Sequence, residues 1–185
     1  MINFFLRSTG MWIIALVLFT ACGSDDDTGL IPDDDVAPGT PGSITCKING
    51  QTYAATFPFV TGALSTTNDI YSFALGGVDF LGKDTVSIAM AMTGTDLSRL
   101  SAGDTFSGTG NIFINFALGT VIVKNRPAVD EDASSSETDV ATITVTKIDR
   151  DNELISGTFS YEAFDDDTQN TFKVTDGVFA DIKYD

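Results

Sequence analysis

From Ser43 onward the large apolar residues recur at every second position. Ile44, Cys46 and Ile48 alternate with Thr45 and Lys47, and after Asn49-Gly50 the residues Tyr53, Ala55 and Phe57 alternate with Thr52, Ala54 and Thr56. A period of two is that of a half-buried β-strand, whose successive side chains point to opposite faces. Asn-Gly between two such runs predicts a hairpin, because a type I′ turn needs positive φ at both central residues. The resulting register pairs Ile48 with Gln51, Cys46 with Tyr53 and Ile44 with Ala55, all on one face. That face is the expected core, so Cys46 is expected indoors.

The same rule predicts the rest of the chain. Tyr71, Phe73 and Leu75 alternate up to Gly76-Gly77, and Val86, Ile88, Met90 and Met92 alternate with small partners. Ile112, Ile114, Phe116 and Leu118 alternate with Phe113 and Asn115, and Val121-Ile122-Val123 continues the run beyond Gly119. Ile143 with Val145, Ile155 with Phe159 and Tyr161, Phe172 with Val174, and finally Phe179, Ile182 and Tyr184 complete the pattern. Periodic segments of helical length are missing; Asp96 to Leu100 has room for one short turn. The expected fold is all-β, a single antiparallel β-sandwich or small β-barrel of about eight to ten strands over residues 43–185. Arg126 to Asp139 is rich in serine and acid and has no large apolar group after Val129, which predicts a mobile surface loop.

Upstream of Ser43 the pattern changes twice. Arg7 and the apolar run Met11–Phe19 read as an export signal; a run of nine is too short for a membrane-spanning helix, which takes about 20 residues. Ala21-Cys22-Gly23 then resembles the lipobox of bacterial lipoproteins, in which cleavage precedes the cysteine and the thiol takes a diacylglycerol. An ordinary cleaved signal that happens to contain a cysteine is the alternative. Residues 1–21 are thus a signal peptide and Cys22 a lipidation site. Residues 22–42 carry six aspartates, three prolines and four glycines, the composition of a flexible tether reaching about 25 Å. Ser24 followed by Asp25-Asp26-Asp27 resembles the surface-export signal of Bacteroidetes lipoproteins, which places the anchor in the outer leaflet of the outer membrane. A periplasm-facing anchor is the other placement.

Charge narrows the partners. The 185 residues hold 26 acidic and 10 basic side chains and no histidine, a formal charge of −16. Removal of the signal takes Arg7 alone among the charged groups and leaves −17. Nucleic acid is excluded as a partner, because its affinity rests on Lys and Arg at the phosphates. Without histidine there is no Ser-His-Asp or Cys-His machinery. With Cys22 acylated, Cys46 has no disulfide partner and reads as a structural thiol.

The last third of the domain is recognisable. Ala141 to Asp149 (ATITVTKID), Ile155 to Tyr161 (ISGTFSY), Val174 to Phe179 (VTDGVF) and Ile182-Lys183-Tyr184 resemble a family of Bacteroidetes lipoproteins catalogued as a domain of unknown function. Its members also open with a strand, an Asn-Gly turn and an aromatic at the Tyr53 position. The resemblance covers about residues 43–185. It implies a secreted β domain on a lipid anchor, and it implies no catalytic residue. Within the motif, Gly157 reads as a place where a neighbour approaches closely, and Asp176-Gly177 as a turn or bulge.

The remaining candidates are acidic. Asp149, Asp151 and Glu153 alternate as at the start of a calcium loop, but the sixth-position glycine and the twelfth-position glutamate of an EF-hand are missing. As a strand-to-strand turn the same residues satisfy local backbone groups. Asp165-Asp166-Asp167 and Asp130-Glu131-Asp132 read as solvated turns. Asp27-Thr28-Gly29 matches an aspartic-protease triplet but lies in the tether without a second copy. The glutamates Glu131, Glu137, Glu153 and Glu162 fall in turns, loops or outward strand positions, and no catalytic residue, metal or cofactor beyond the lipid on Cys22 is expected. The function expected is a non-enzymatic binding or surface-structural module, monomeric, with loops 126–139 and 165–170 meeting a glycan or a protein. A calycin-like carrier of a small apolar ligand is the alternative, since the many phenylalanines on alternating strands would suit such a cavity.

Overall fold

The computed structural model describes residues 36–81, 84–111, 114–125 and 130–185. The expected signal peptide, Cys22 and most of the expected tether lie outside them. The described residues form one compact unit with its own core. Eleven strands build it: β1 (Ser43–Ile48), β2 (Gln51–Thr56), β3 (Val60–Thr67), β4 (Ile70–Leu81), β5 (Asp84–Thr95), β6 (Thr105–Ser107), β7 (Phe116–Asn125), β8 (Glu131–Ser134), β9 (Ala141–Asp149), β10 (Leu154–Phe164) and β11 (Thr171–Lys183). They form a single sheet in the order β2-β1-β11-β10-β9-β6-β7-β5-β4-β3, with β8 joining β7 and β10 from the side. All ladders are antiparallel except the short β6–β7 contact at Ser107 and Phe116.

The two ends of this sheet meet. Leu64 of β3 donates its backbone N–H to the carbonyl of Asp185 at 2.9 Å. Ala54 of β2 donates to the Asp79 carboxylate of β4 at 2.8 Å. The sheet is therefore rolled on itself, which covers its edges. All-β architecture stands as read; the strand count rises to eleven because β3, β6 and β8 lack the large alternating residues that mark the others.

The first hairpin has the expected register, Ile48 opposite Gln51, Cys46 opposite Tyr53 and Ile44 opposite Ala55. Asn49 and Gly50 both have positive φ, as the turn requires. Asp176-Gly177 is a bulge: the two residues face Cys46 alone, between the pairs Thr45–Val178 and Lys47–Thr175. Lys47 pairs with the Asp176 carboxylate at 2.9 Å outside it. All four tyrosines of the domain are buried, with Tyr53, Tyr71 and Tyr161 at most 4% exposed.

Two expectations are overturned. On β7 the inward residues are Ala117, Gly119 and Val121, while Phe116 and Leu118 look outward. The reason is the ring of Tyr161, which lies where a side chain on residue 119 would stand, and its hydroxyl donates to the Thr120 carbonyl at 2.8 Å. Small residues face in because a large one reaches across from β10. The segment predicted as a loop over 126–139 is also built: past 126–129, which are outside the described residues, it forms β8 and a 3-10 turn over Ser135–Glu137. Ala133 and Ser135 are almost wholly buried, and the Ser135 hydroxyl accepts the Gly119 N–H at 2.9 Å.

Gly157 is tight, as expected. A Cβ there would fall onto the Phe179 ring and the Thr144 carbonyl. Gly157→Ala should destabilise the domain by about 1–3 kcal/mol, the usual cost of overpacking. Thermal unfolding beside Thr158→Ala on the outward face checks it; equal midpoints would mean the wall has slack.

Candidate functional site

The two loops expected to carry binding come together, and one carboxylate joins them. Asp165 follows β10 and is 4% exposed. One of its oxygens accepts the Asp132 N–H of β8 at 2.7 Å, and the other accepts the N–H groups of Asp167 and Thr168 at 2.9 Å each. Its own backbone closes the loop, with Asp165 N–H on the Asn170 carbonyl at 3.0 Å and Gln169 N–H on the Asp165 carbonyl at 2.8 Å. The Asn170 amide donates across to the Glu131 carboxylate. Donation from the Thr168 and Asp132 backbones, opposed in part by burial, holds the Asp165 carboxyl below the usual carboxylate range. The Asp165 turn is thus a clamp rather than a solvated run, and Asp130-Glu131-Asp132 is its other jaw.

The calcium candidates are not brought together. Both Asp149 oxygens are taken by Asn152, from its backbone at 3.1 Å and its side-chain amide at 2.9 Å, which lowers the carboxyl's affinity for a proton. Glu153 pairs with Lys183 at 2.8 Å, and Asp151 is exposed. The turn chemistry accounts for Asp149 and Glu153. Among the described residues no three Asp, Glu or Cys side chains converge as a metal site would need.

Cys46 lies inside, 3% exposed, against Tyr53 and Asp79. Burial first, and the Asp79 charge second, push its thiol up to about 12. At neutral pH it is a neutral thiol in apolar packing, the reverse of an activated nucleophile. An open cleft of about 350 Å³ lies elsewhere, between the β3–β4 turn and the 3-10 turn Leu97–Arg99, lined by Thr66, Asn68, Asp69, Tyr71, Asp96 and Ser98. Its backbone is tied by Asp96 N–H on the Asp69 carbonyl at 2.9 Å.

Besides the outward Phe116, three phenylalanines among the described residues stand exposed at the surface. Phe57, which follows β2, is 83% exposed; Phe59 and Phe80 are 38% and 41% exposed and pack edge to face at 5.2 Å. Phe57 and Phe59 sit where β2 passes into β3, and Phe80 comes from the end of β4 beside them. Alternation alone put Phe57 indoors, but β2 ends at Thr56 and the chain turns outward there.

The family model for a domain of unknown function, DUF6252, matches residues 40–183. The chain belongs to that family. The matched span starts just before β1 and stops at the last residue of β11, so this family domain is the rolled sheet itself. No curated protein and no solved structure matches the chain.

Two outcomes follow. Cys46 in the native protein should resist a thiol reagent at pH 8 and react stoichiometrically once unfolded; native labelling would show that the seam opens. Asp165, whose folded-state affinity for protons is lowered, contributes stability above the unfolded carboxylate value of about 3.9, lost as pH falls through and below it. Asp165→Ala should therefore unfold at lower temperature than wild type at pH 7, with the gap closing toward pH 2. A gap independent of pH would show that the clamp's charge does not matter.

Proposed function

We propose that the chain is a lipid-anchored domain of the outer membrane, acylated on Cys22 and displayed at the cell surface, that acts as a non-enzymatic binding or surface-structural module. The anchor is supported by the lipobox-like Ala21-Cys22 after a nine-residue apolar run, and outer-leaflet placement by Ser24-Asp25-Asp26-Asp27. The observation that carries the binding role is the Asp165 clamp. It joins a turn after β10 to the start of β8, so that Glu131, Asp132, Asp166 and Asn170 form one ordered polar surface. Loops ordered before contact lose less entropy on binding than free ones. A glycan or a protein partner is the class of ligand such a surface suits. An internal carrier role has less support, because Tyr53, Phe73, Phe106, Tyr161 and Phe179 occupy the inside of the rolled sheet.

Mass spectrometry of the mature chain should find Cys22 at its N-terminus with a diacylglycerol, and Cys22→Ser should release the protein from the membrane fraction. An unacylated mature chain would overturn the anchor. For binding, thermal unfolding of residues 31–185 is scanned against glycans, fatty acids and calcium. A ligand at 100 times its Kd adds about 2.7 kcal/mol of stability. A glycan-dependent rise that disappears in Asp165→Ala is the expected result. A rise with fatty acids alone would favour the carrier, and one with calcium alone would return Asp149, Asp151 and Glu153 to the role of ligands.

A further inference from the structure

One wall of the rolled sheet carries almost no charge. Register fixes which residues of β3, β4, β5 and β7 look outward: Thr61 to Thr67, Ile70 to Phe80, Thr85 to Thr95 and Phe116 to Lys124, at every second position. Lys124 is the single charged side chain among all of these, and none is acidic, in a chain with 26 acidic residues. Acids resume at the turns bounding the wall, Asp69 and Asp96, and on β8 at Asp132. The centre is small and flat: Ala63, Ala74, Ala91 and Leu118 lie side by side across the four strands. Phe80 and Ile122 form an apolar margin on one side of that row, Phe116 on the other.

We propose that this wall is the contact face between two copies of the chain. Ordinary soluble surfaces carry about 25–35% charged residues, whereas interface centres are depleted of them. Its one basic group, Lys124, is already paired with Asp130 at 2.6 Å, which leaves the wall little for anionic lipid headgroups, and without acids it has nothing for a basic partner. Four strands about 4.8 Å apart and about 35 Å long present roughly 700 Å², close to the roughly 800 Å² that each partner of a standard interface buries. The centre, built from Ala63, Ala74, Gly76, Ala89 and Ala91, has no large side chain to clash, and about a two-fold axis it can meet itself with the larger Phe80, Phe116 and Ile122 at the margins. Two strongly negative chains repel, and the wall is the surface across which they meet with no carboxylate desolvated. The proposal departs from the monomer expected from sequence, an expectation that took no account of where the charge is missing.

Sedimentation of residues 31–185, which contain every strand and the core, tests it. A monomer–dimer equilibrium is expected that tightens as salt rises from 0.1 M to 1 M, because the Debye length falls from about 10 Å to about 3 Å and screens the net repulsion. Ala74→Glu and, separately, Ala89→Glu, both at exposed positions, should weaken the dimer at least tenfold, while Thr142→Glu on the outward face of β9 leaves it unchanged. Mixing Ala74→Glu with Ala74→Lys should restore a dimer. Circular dichroism confirms that each variant is folded. A chain that stays monomeric in 1 M salt, a dimer indifferent to both glutamates, or a monomer that instead binds phosphatidylethanolamine–phosphatidylglycerol vesicles through this wall would each overturn the proposal.

Discussion

Everything in this domain depends on closing the sheet. An open sheet of this length would leave β2 and β3 as edges, each with a row of unpaired backbone groups. Closure is made by contacts of different kinds. β3 lies along the chain terminus, with Leu64 on the Asp185 carbonyl and Gly62 close enough to the Lys183 carbonyl that a Cβ there would sit 2.6 Å from it. β2 reaches β4 through the Asp79 carboxylate, which takes the Ala54 N–H where a backbone acceptor would otherwise stand. A charged acceptor makes a stronger bond than a carbonyl, at the cost of burying the charge. Asp79 also sets the tone inside, adding its charge to the burial that keeps Cys46 protonated.

Closure forces curvature, and β11 supplies it. Two bulges interrupt this strand, at Asp176 and at Asp181, both with positive φ. Each bulge aspartate is held from outside by a lysine, Asp176 by Lys47 of the adjacent β1 at 2.9 Å and Asp181 by Lys147 of β9, reaching across β10, at 2.8 Å, and Asp181 also accepts from Ser156 at 3.1 Å. Such exposed pairs add little stability in themselves. Their geometric role is larger, since the bulges re-aim the strand and let Gly157 and Gly177 pass beneath the rings of Phe179 and Phe159.

What could be read from sequence follows from this. Wherever a strand carries large residues on its inward face, alternation finds both the strand and its parity, as on β1, β2, β4, β5, β9, β10 and β11. It fails on β7 because the inward residues there are small to admit Tyr161, so the outward Phe116 and Leu118 mimic a core. It misses β8, whose inward residue is the small Ala133, and β6, whose three residues place the single large Phe106 inside and leave no alternation to read; on β3 only Val60 and Leu64 are large and both are partly buried. The clamp was legible only in part. Asp165-Asp166-Asp167 marks a turn, but that its first carboxylate reaches Asp132, 33 positions earlier, is a tertiary fact with no local signature. Gly157 and Asp176-Gly177 were legible because glycine and Asp-Gly have a backbone meaning independent of context.

The acidity of the chain has a partly structural origin. Ten non-glycine residues of the described chain have positive φ, and eight of them are Asp or Asn: Asn49, Asn68, Asp69, Asp96, Asn115, Asp139, Asp176 and Asp181. These residue types tolerate the left-handed region better than other side chains, because a short polar group bonds its own backbone. A rolled sheet of many short hairpins needs many such positions, and filling them with aspartate accumulates negative charge at turns and bulges. Charge placed by turn chemistry stays off the strand faces. Five of the 26 acidic residues, Asp69, Asp96, Asp139, Asp176 and Asp181, are placed in this way, and none of them lies on the outward face of β3, β4, β5 or β7. Net charge alone describes a uniformly repellent particle; the distribution describes one that repels through its turns and bulges and is free to make contact through a wall.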